Sequence, residues 1–329
     1  MFRLLCCLCL LCPMSFAEGR SVKIIFDTDI ASDVDDVGAV ALLHALANKG
    51  EAEILGMAVS SSCPHGVACL DVLNTYFGRP DIPIGRVRIL GERKKMLGRP
   101  SKYAGKLAEK FPHVLRDQEA KDAVQLYRGI LAQQKDRDVV IVTVGFLTNL
   151  ADLLASEPDE RSPLAGTELV KQKVRQWVCM GGAFPEGREF NLFIDTESSR
   201  RVLENWPTPV VFSGSDIGGD ILTGEGLVQL PLNSPVRRAY ELFHGQSGKN
   251  RQSWDQTAVL YAVRGLDGGL DSMWSCVKGG CNRMNEDGSN RWDSSCDKKH
   301  AYLKKKMPPE QVAERIESLM MELPETEAP

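Results

Sequence analysis

The chain has 329 residues, 43% of them apolar and 26% charged, which is an ordinary globular balance with ample length for a large core. Its formal net charge of -4 leaves no basic footprint, which argues against nucleic acid and anionic membrane as partners and for a small neutral or polar ligand. At the start, Arg3 precedes an apolar, cysteine-rich run over residues 4–12, followed by the small residues Ser15 and Ala17. That pattern predicts a secretory signal peptide over residues 1–17, and hence export to a periplasmic or secreted location. The run is too short to span a bilayer, and no other stretch is long and apolar enough for a membrane span. Residues 18–329 are then read as one domain with an elaborated C-terminal part.

Short apolar runs that stop abruptly at small or polar residues recur along the chain. Residues 22–26 run into Asp27-Thr28-Asp29, and residues 54–59 into Ser60-Ser61-Ser62. Residues 139–144 run into Gly145-Phe146-Leu147-Thr148-Asn149, residues 177–180 into Gly181-Gly182, and residues 210–212 into Ser213-Gly214-Ser215-Asp216. Uninterrupted runs of this length suit strands buried on both faces. Helical patterns lie between them. Residues 37–49 place Val37, Val40, Ala41, His44 and Ala47 on one stripe, and residues 122–134 and 149–156 are further candidates. Strands alternating with helices predict an α/β fold with a doubly wound, mainly parallel sheet. In such sheets ligands bind in the loops at the carboxyl ends of the strands, where all these polar residues fall.

The tail reads differently. Residues 265–300 are rich in Gly, Asp, Asn, Ser, Trp and Cys, which predicts loops or a short hairpin, followed by a terminal helix over residues 309–321. Trp274 and Trp292 either brace this tail or line a pocket mouth, with packing favoured. Six cysteines lie outside the signal segment, and Cys276, Cys281 and Cys296 form the cluster where a disulfide is expected. With His300 the same three offer a zinc alternative, at an unfamiliar spacing. His44 is expected to be packed, and His65 and His113 to sit in surface loops.

The segment from Asp27 to Asp36 holds five carboxylates in ten residues, between a buried strand and a helix. Charges packed this closely repel one another unless a cation compensates them, and calcium accepts several carboxylates at once. Helix capping accounts for one such aspartate, but not for five. The segment lacks the glycine and glutamate that an EF-hand loop needs.

Strand-Asp27-Thr28-Asp29 followed by Asp35-Asp36 opening a helix resembles the inosine-uridine-preferring nucleoside hydrolase family. Four further segments agree, in order: Gly145-Phe146-Leu147-Thr148-Asn149-Leu150-Ala151, Met180-Gly181-Gly182-Ala183 with Glu189-Phe190-Asn191 and Asp195, Ser213-Gly214-Ser215-Asp216, and Trp254-Asp255 entering a helix. The resemblance spans roughly residues 22–263 and implies a Rossmann-like fold, often assembled as a homodimer or homotetramer. It also implies calcium-dependent hydrolysis of the N-glycosidic bond of ribonucleosides. By resemblance Asp29 is the base and a metal ligand. Asp36, the Thr148 carbonyl and Asp255 complete the calcium site, while Asp35, Glu189, Asn191 and Trp254 face the substrate.

This chain departs from the family pattern in three places. The stretch between Asp-Thr-Asp and Asp-Asp is two residues longer and carries Asp33, a second candidate for the base. Trp254 replaces the histidine associated with protonating the leaving base. Gly187-Arg188-Glu189 lacks an upstream ribose-binding asparagine, and Ser62 stands where another asparagine is usual. Two alternatives therefore stand beside the hydrolase. One is an exported, calcium-dependent riboside-binding protein without turnover. The other is a magnesium-dependent phosphotransfer enzyme of the haloacid dehalogenase type, against which Ala31 speaks.

Overall fold

The computed structural model describes residues 21–89, 91–266 and 273–324, so the expected signal peptide lies outside the described residues. The apolar runs become strands. In chain order these are β1 (Val22–Thr28), β2 (Ala52–Val59), β3 (Ile84–Arg86), β4 (Lys121–Asp122), β5 (Val139–Thr143), β6 (Val174–Met180), β7 (Glu186–Gly187), β8 (Val210–Ser213), β9 (Leu222–Thr223), β10 (Arg251–Gln252), β11 (Trp274–Met284), β12 (Asn290–Asp293) and β13 (His300–Lys305).

Eleven of them form one sheet in the order β4-β3-β2-β1-β5-β6-β8-β13-β11-β12-β7, and β9 and β10 make a separate pair. From β4 to β13 every neighbour is parallel, and β11, β12 and β7 close the far edge antiparallel. The chain lays down β1 to β4 in one direction and then returns to place β5 on the other side of β1. The reversal between β1 and β5 opens a crevice beyond their carboxyl ends, where the chain continues into Asp29 and into Val144.

Side-chain alternation along β1 divides the core. Ile24 and Phe26 join the cluster beneath the helices Asp35–Asn48, Trp254–Arg264 and Pro309–Met320, while Ile25 joins the cluster on the opposite face with Tyr127 and Trp177. The first of these helices differs from the single apolar stripe its spacing predicts. It is buried from Asp35 through Leu46, because the sheet and four further helices pack around it. His44 is packed as expected: its ring stacks on Phe77 at 4.6 Å, and Nε2 lies 2.9 Å from Asn74 Oδ1. Burial pushes its pKa down to about 3, so it stays neutral.

The tail contains the expected hairpin, β11 with β12, but it is not mainly loop. β13 enters the central sheet beside β8, and β11 pairs with β13. Composition conceals this, because these strands carry the Gly, Lys and Asn residues that usually mark loops. Trp274 is buried, and Trp292 packs against Tyr302 at 4.9 Å and Phe184 at 6.1 Å, so both tryptophans brace the sheet. Cys281 and Cys296 form a disulfide, whereas Cys276 is free, and the zinc alternative is thereby removed. His300 Nδ1 instead accepts the amide of Asn282 at 3.2 Å. Among the described residues no helix is long and apolar enough to cross a membrane.

Candidate active site

The loop after β1 descends into the crevice under strain. Ala31 adopts a φ of 115°, a region that costs a residue with a Cβ and is kept where surrounding structure enforces it. Tyr103 supplies that enforcement: its hydroxyl accepts the Ala31 amide at 3.0 Å and donates to the carbonyl of Asp33. Thr28 ties the strand end to the helix, because its hydroxyl accepts the Ile30 amide at 3.0 Å and donates to the Asp36 carboxylate. On the β5 side, a Cβ at Gly145 would lie 2.3 Å from the Asp29 nitrogen. Glycine is required there so that the two loops can meet.

Three carboxylates converge at the base of the crevice. Asp35 and Asp36 open the helix Asp35–Asn48, and Asp255 sits in the first turn of the helix Trp254–Arg264. They are 3%, 1% and 4% exposed, and one oxygen of each lies within 4.8 Å of the others. The Asp255 amide donates to Asp35 at 3.4 Å. Burial, and then the neighbouring carboxylates, push all three pKa values well above the usual range, with Arg251 offsetting part of this at Asp35. Burial and then Asp33 raise Asp29 to about 7. Two helix N-termini give modest relief. The trio contains oxygen donors and no basic side chain, which is the donor set a hard divalent cation takes.

Above the trio lies a cavity of about 410 Å³ whose lining includes Asp29, Asp33, Asp35, Glu189, Asn191, Trp254 and Asp255. It thus gathers Asp29, Asp255 and the residues expected to face substrate. Asp36 sits beneath the lining rather than in it. Thr148 begins the helix Thr148–Leu154 behind β5, and its hydroxyl donates to Asp195 at 2.6 Å. The trio brings Asp35, expected on the substrate side, in among the metal-capable groups. Ser62 lies outside this lining and borders a neighbouring cavity of about 560 Å³ with His65 and His113.

Asp33 differs from the buried acids. Its side chain is 29% exposed and receives Arg251, whose Nε stands 2.9 Å away. Glu189 caps the helix Phe190–Ile194, accepting the amides of Asn191 at 2.7 Å, Leu192 at 3.1 Å and Gly182 at 3.1 Å. Asn191 donates its amide to the carbonyls of Val144 and Met180 at 3.0 and 3.3 Å. The Trp254 indole donates to the Ser215 carbonyl at 3.0 Å, and Arg251 lies over its ring at 4.9 Å.

Sequence reasoning gave no site role to Arg188, Arg251, Phe190 or Met180, which also line the cavity, whereas Ser215 lines it from one of the strand-end segments the sequence singled out. Arg251 could have drawn notice as a charge three residues before Trp254; nothing local marks Tyr103. Asp27 divides from its neighbours completely. It is wholly buried away from the cavity, held by Tyr127 at 2.8 Å and Asn149 at 3.0 Å, and burial raises it to about 7.

Comparisons with known proteins bear on the family and the fold. The family model described as inosine-uridine preferring nucleoside hydrolase matches residues 24–277. A pyrimidine-specific ribonucleoside hydrolase from Shewanella sp. (strain ANA-3) is 29% identical over 209 residues, covering 60% of this chain and 60% of that protein. The chain spans about three fifths of the length of the curated relatives it matches. In fold it is similar to a plant nucleoside hydrolase, with a TM-score of 0.64 and 17% identity over 91% of this chain and 98% of that one. A purine-preferring ribonucleoside hydrolase from Gardnerella vaginalis gives a TM-score of 0.64 and 17% identity, over 91% and 99% of the two chains.

Proposed function

The chain belongs to the inosine-uridine preferring nucleoside hydrolase family, and on that premise we propose that it is a calcium-dependent hydrolase of the N-glycosidic bond of ribosides. The observation that carries this reading is the buried acidic trio Asp35, Asp36 and Asp255 at the sheet's reversal point, with Asp29 beside it in one cavity. Family membership removes the phosphotransfer alternative. Asp35, Asp36 and Asp255, joined, by resemblance to the family, by Asp29 and the Thr148 carbonyl, would hold the calcium ion, which when bound acidifies water and gathers the ribose hydroxyls.

The chain's own groups divide the remaining work. Asp29 accepts a proton from the water that adds to the anomeric carbon, while the glycosidic C–N bond breaks and its electron pair leaves with the base. What supports Asp29 over Asp33 is its place: Asp29 is 5% exposed at the cavity floor, whereas Asp33 is engaged by Arg251. Asn191 has spent its amide hydrogens on Val144 and Met180, so its oxygen is the group it offers to a ribose hydroxyl. Glu189 accepts three backbone amides, which hold its carboxylate rigidly at the wall for a further hydroxyl. Trp254 offers a face to the base but no acid, because its N–H is committed to Ser215. The departing base therefore takes its proton from solvent.

Export remains part of the proposal. The disulfide between Cys281 and Cys296 supports an oxidising compartment. The deciding experiment is release of nucleobase from a riboside panel by the calcium-loaded chain. Release that stops on chelation and resumes on adding calcium is expected. Riboside binding by calorimetry without release would favour the binding-protein reading.

A further inference from the structure

The C-terminal hairpin does more than complete the sheet. Its strand β12 lies beyond the residues that the family model matches, yet it holds the segment between Met180 and Glu189, both of which line the cavity. Asn290 is 1% exposed, and its whole side-chain amide is committed. Its Oδ1 accepts the Ala183 amide at 2.9 Å, and its Nδ2 donates to the Ala183 carbonyl at 2.9 Å and to Asn282 Oδ1 at 3.0 Å. These bonds use the acceptor and both donor hydrogens, so a turned-over amide would set like against like at both Ala183 contacts. Further along, the Trp292 amide donates to the Pro185 carbonyl at 2.7 Å, and β12 pairs with β7, Asn290 standing opposite Gly187. At the turn, a Cβ on Gly288 would lie 2.7 Å from the Phe193 ring, and Asp287 attracts Arg188, whose guanidinium lies over that ring at 3.6 Å. The disulfide between Cys281 and Cys296 and the ion pair of Arg283 with Asp293 close the hairpin on itself.

Three successive peptide units carry this hold to the site. The first ends in the Gly182 amide, which donates to Glu189 Oε2 at 3.1 Å. The second presents the Gly182 carbonyl, which accepts the Ser215 amide at 2.8 Å, and the Ala183 amide, which donates to Asn290. The third presents the Ala183 carbonyl, which accepts from Asn290. Gly182, with a φ of 85°, is the joint between the first two, and a glycine joint keeps one setting only when its neighbours are clamped. Asn290 and Ser215 supply that clamp from the two ends of one peptide. We propose that Asn290 is a positioning residue for this site: by fixing the Gly182-Ala183 peptide it sets the Glu189 carboxylate in the orientation that substrate meets, and so makes the C-terminal hairpin part of the working site. The proposal rests on the hydrolase reading above only for what Glu189 does once placed. Asn290 stands outside the cavity lining and acts through Ala183 and Gly182.

The test is a double-mutant cycle between Asn290→Ala and Glu189→Gln, read as riboside cleavage by the calcium-loaded full chain. Asn290→Ala alone should raise KM about 10- to 30-fold, with kcat within about threefold of the wild type. In the Glu189→Gln background the same substitution should change KM by less than about threefold, because the group it positions is already altered. Asn282→Ala takes one acceptor from Asn290 and leaves Asn290 in place; it should raise KM about threefold, and it carries the cycle if Asn290→Ala does not fold. Arg283→Ala opens the exposed pair with Asp293, away from Ala183, and should leave KM unchanged. Equal losses in both Glu189 backgrounds, or a loss in Arg283→Ala as large as in Asn290→Ala, overturn the proposal. Hydrogen exchange separates the two readings. In Asn290→Ala the amides of Gly182, Asn191 and Leu192, which donate to Glu189, should exchange at least about tenfold faster, while those of β1 keep their wild-type rates. If the wild type cleaves no riboside, the hydrolase reading falls and the exchange rates still decide the positioning. Unchanged exchange at these three amides sinks the positioning whether or not ribosides are cleaved.

Discussion

On the cavity floor Asp29, Asp35, Asp36 and Asp255 are each at most 5% exposed, whereas at the mouth Arg188 and Phe190 stand open to solvent. The floor is over-determined. Each carboxylate is fixed by a strand end, a helix start or a glycine contact, and burial pushes every one of them toward the neutral form. Such a cluster is unfavourable unless a cation repays it, so the floor has little freedom to change without losing the ion. The mouth is held by stacking on exposed rings, and each side chain there answers to fewer neighbours. Divergence within the family is therefore expected at the mouth. Trp254 and the Gly187-Arg188-Glu189 segment, where the sequence departs from the family pattern, lie there, while the floor keeps its acids.

Substitutions at the floor should produce the largest effects. Asp36→Ala removes the most buried member of the trio and the acceptor of the Thr28 hydroxyl. Calcium affinity measured by calorimetry should fall by at least about 100-fold, and base release by about 1,000-fold or more. Normal activity in this variant would break the distinction between floor and mouth outright. Asp29→Asn should cost about 100- to 10,000-fold in kcat while calcium still binds. Asp33→Asn should cost much less, since it frees Arg251 rather than removing the base. Losses of equal size in the two variants would exchange their roles.

The same division explains what could be read before folding. Each floor residue stands at the end of an apolar run or the start of a helix, so a parallel sheet brings them together by topology alone. That is why Asp29, Asp35, Glu189, Asn191 and Asp255, which the fold gathers at one cavity, and Asp36 beside them could be picked out in the sequence, whereas Thr148, picked out with them, stands outside the lining. Other features arise from pairings across distant chain. Arg251 meets Asp33 and Tyr103 clasps Ala31, and no local pattern encodes either. The placement of β13 beside β8 was hidden for a related reason. Its hydrophobic side chains, Ala301, Tyr302 and Leu303, are followed by three lysines and preceded by a disulfide-bearing loop, so the run looks too short and too polar for a central strand.

At the mouth, Trp254→Ala removes the stacking face and the support under Arg251. About a tenfold loss in kcat/KM is expected, carried by KM. Trp254→His places an acid where the indole is absent from proton transfer. If it raises kcat on a base that needs protonation, the leaving-group end is confirmed as the altered half of the site. A fall as large as that of Asp29→Asn would show instead that Trp254 belongs with the floor.

The smallest effect concerns stability and sharpens the floor itself. Asp27 and Asp29 lie two residues apart, and burial raises both from 3.8 to about 7. A carboxyl with a folded pKa above its unfolded value stabilises the fold most at low pH, where both states are protonated. That contribution is lost as pH rises from about 4 through 7, because the unfolded chain ionises first. In chelator, Asp29 and the trio all contribute, so the thermal midpoint should fall steeply across this window. Calcium lets those four ionise in the folded state and should flatten the curve. Asp27, whose Oδ2 is held by Tyr127 and Asn149 outside the cavity lining, gains nothing from the ion, so a shallow fall should persist in calcium. Asp27→Asn should remove that residue of slope and leave calcium affinity alone. An identical slope with and without calcium would mean that the floor carboxylates do not face the ion. A slope in calcium that survives Asp27→Asn would mean that the two neighbouring aspartates are not divided as their hydrogen bonds place them.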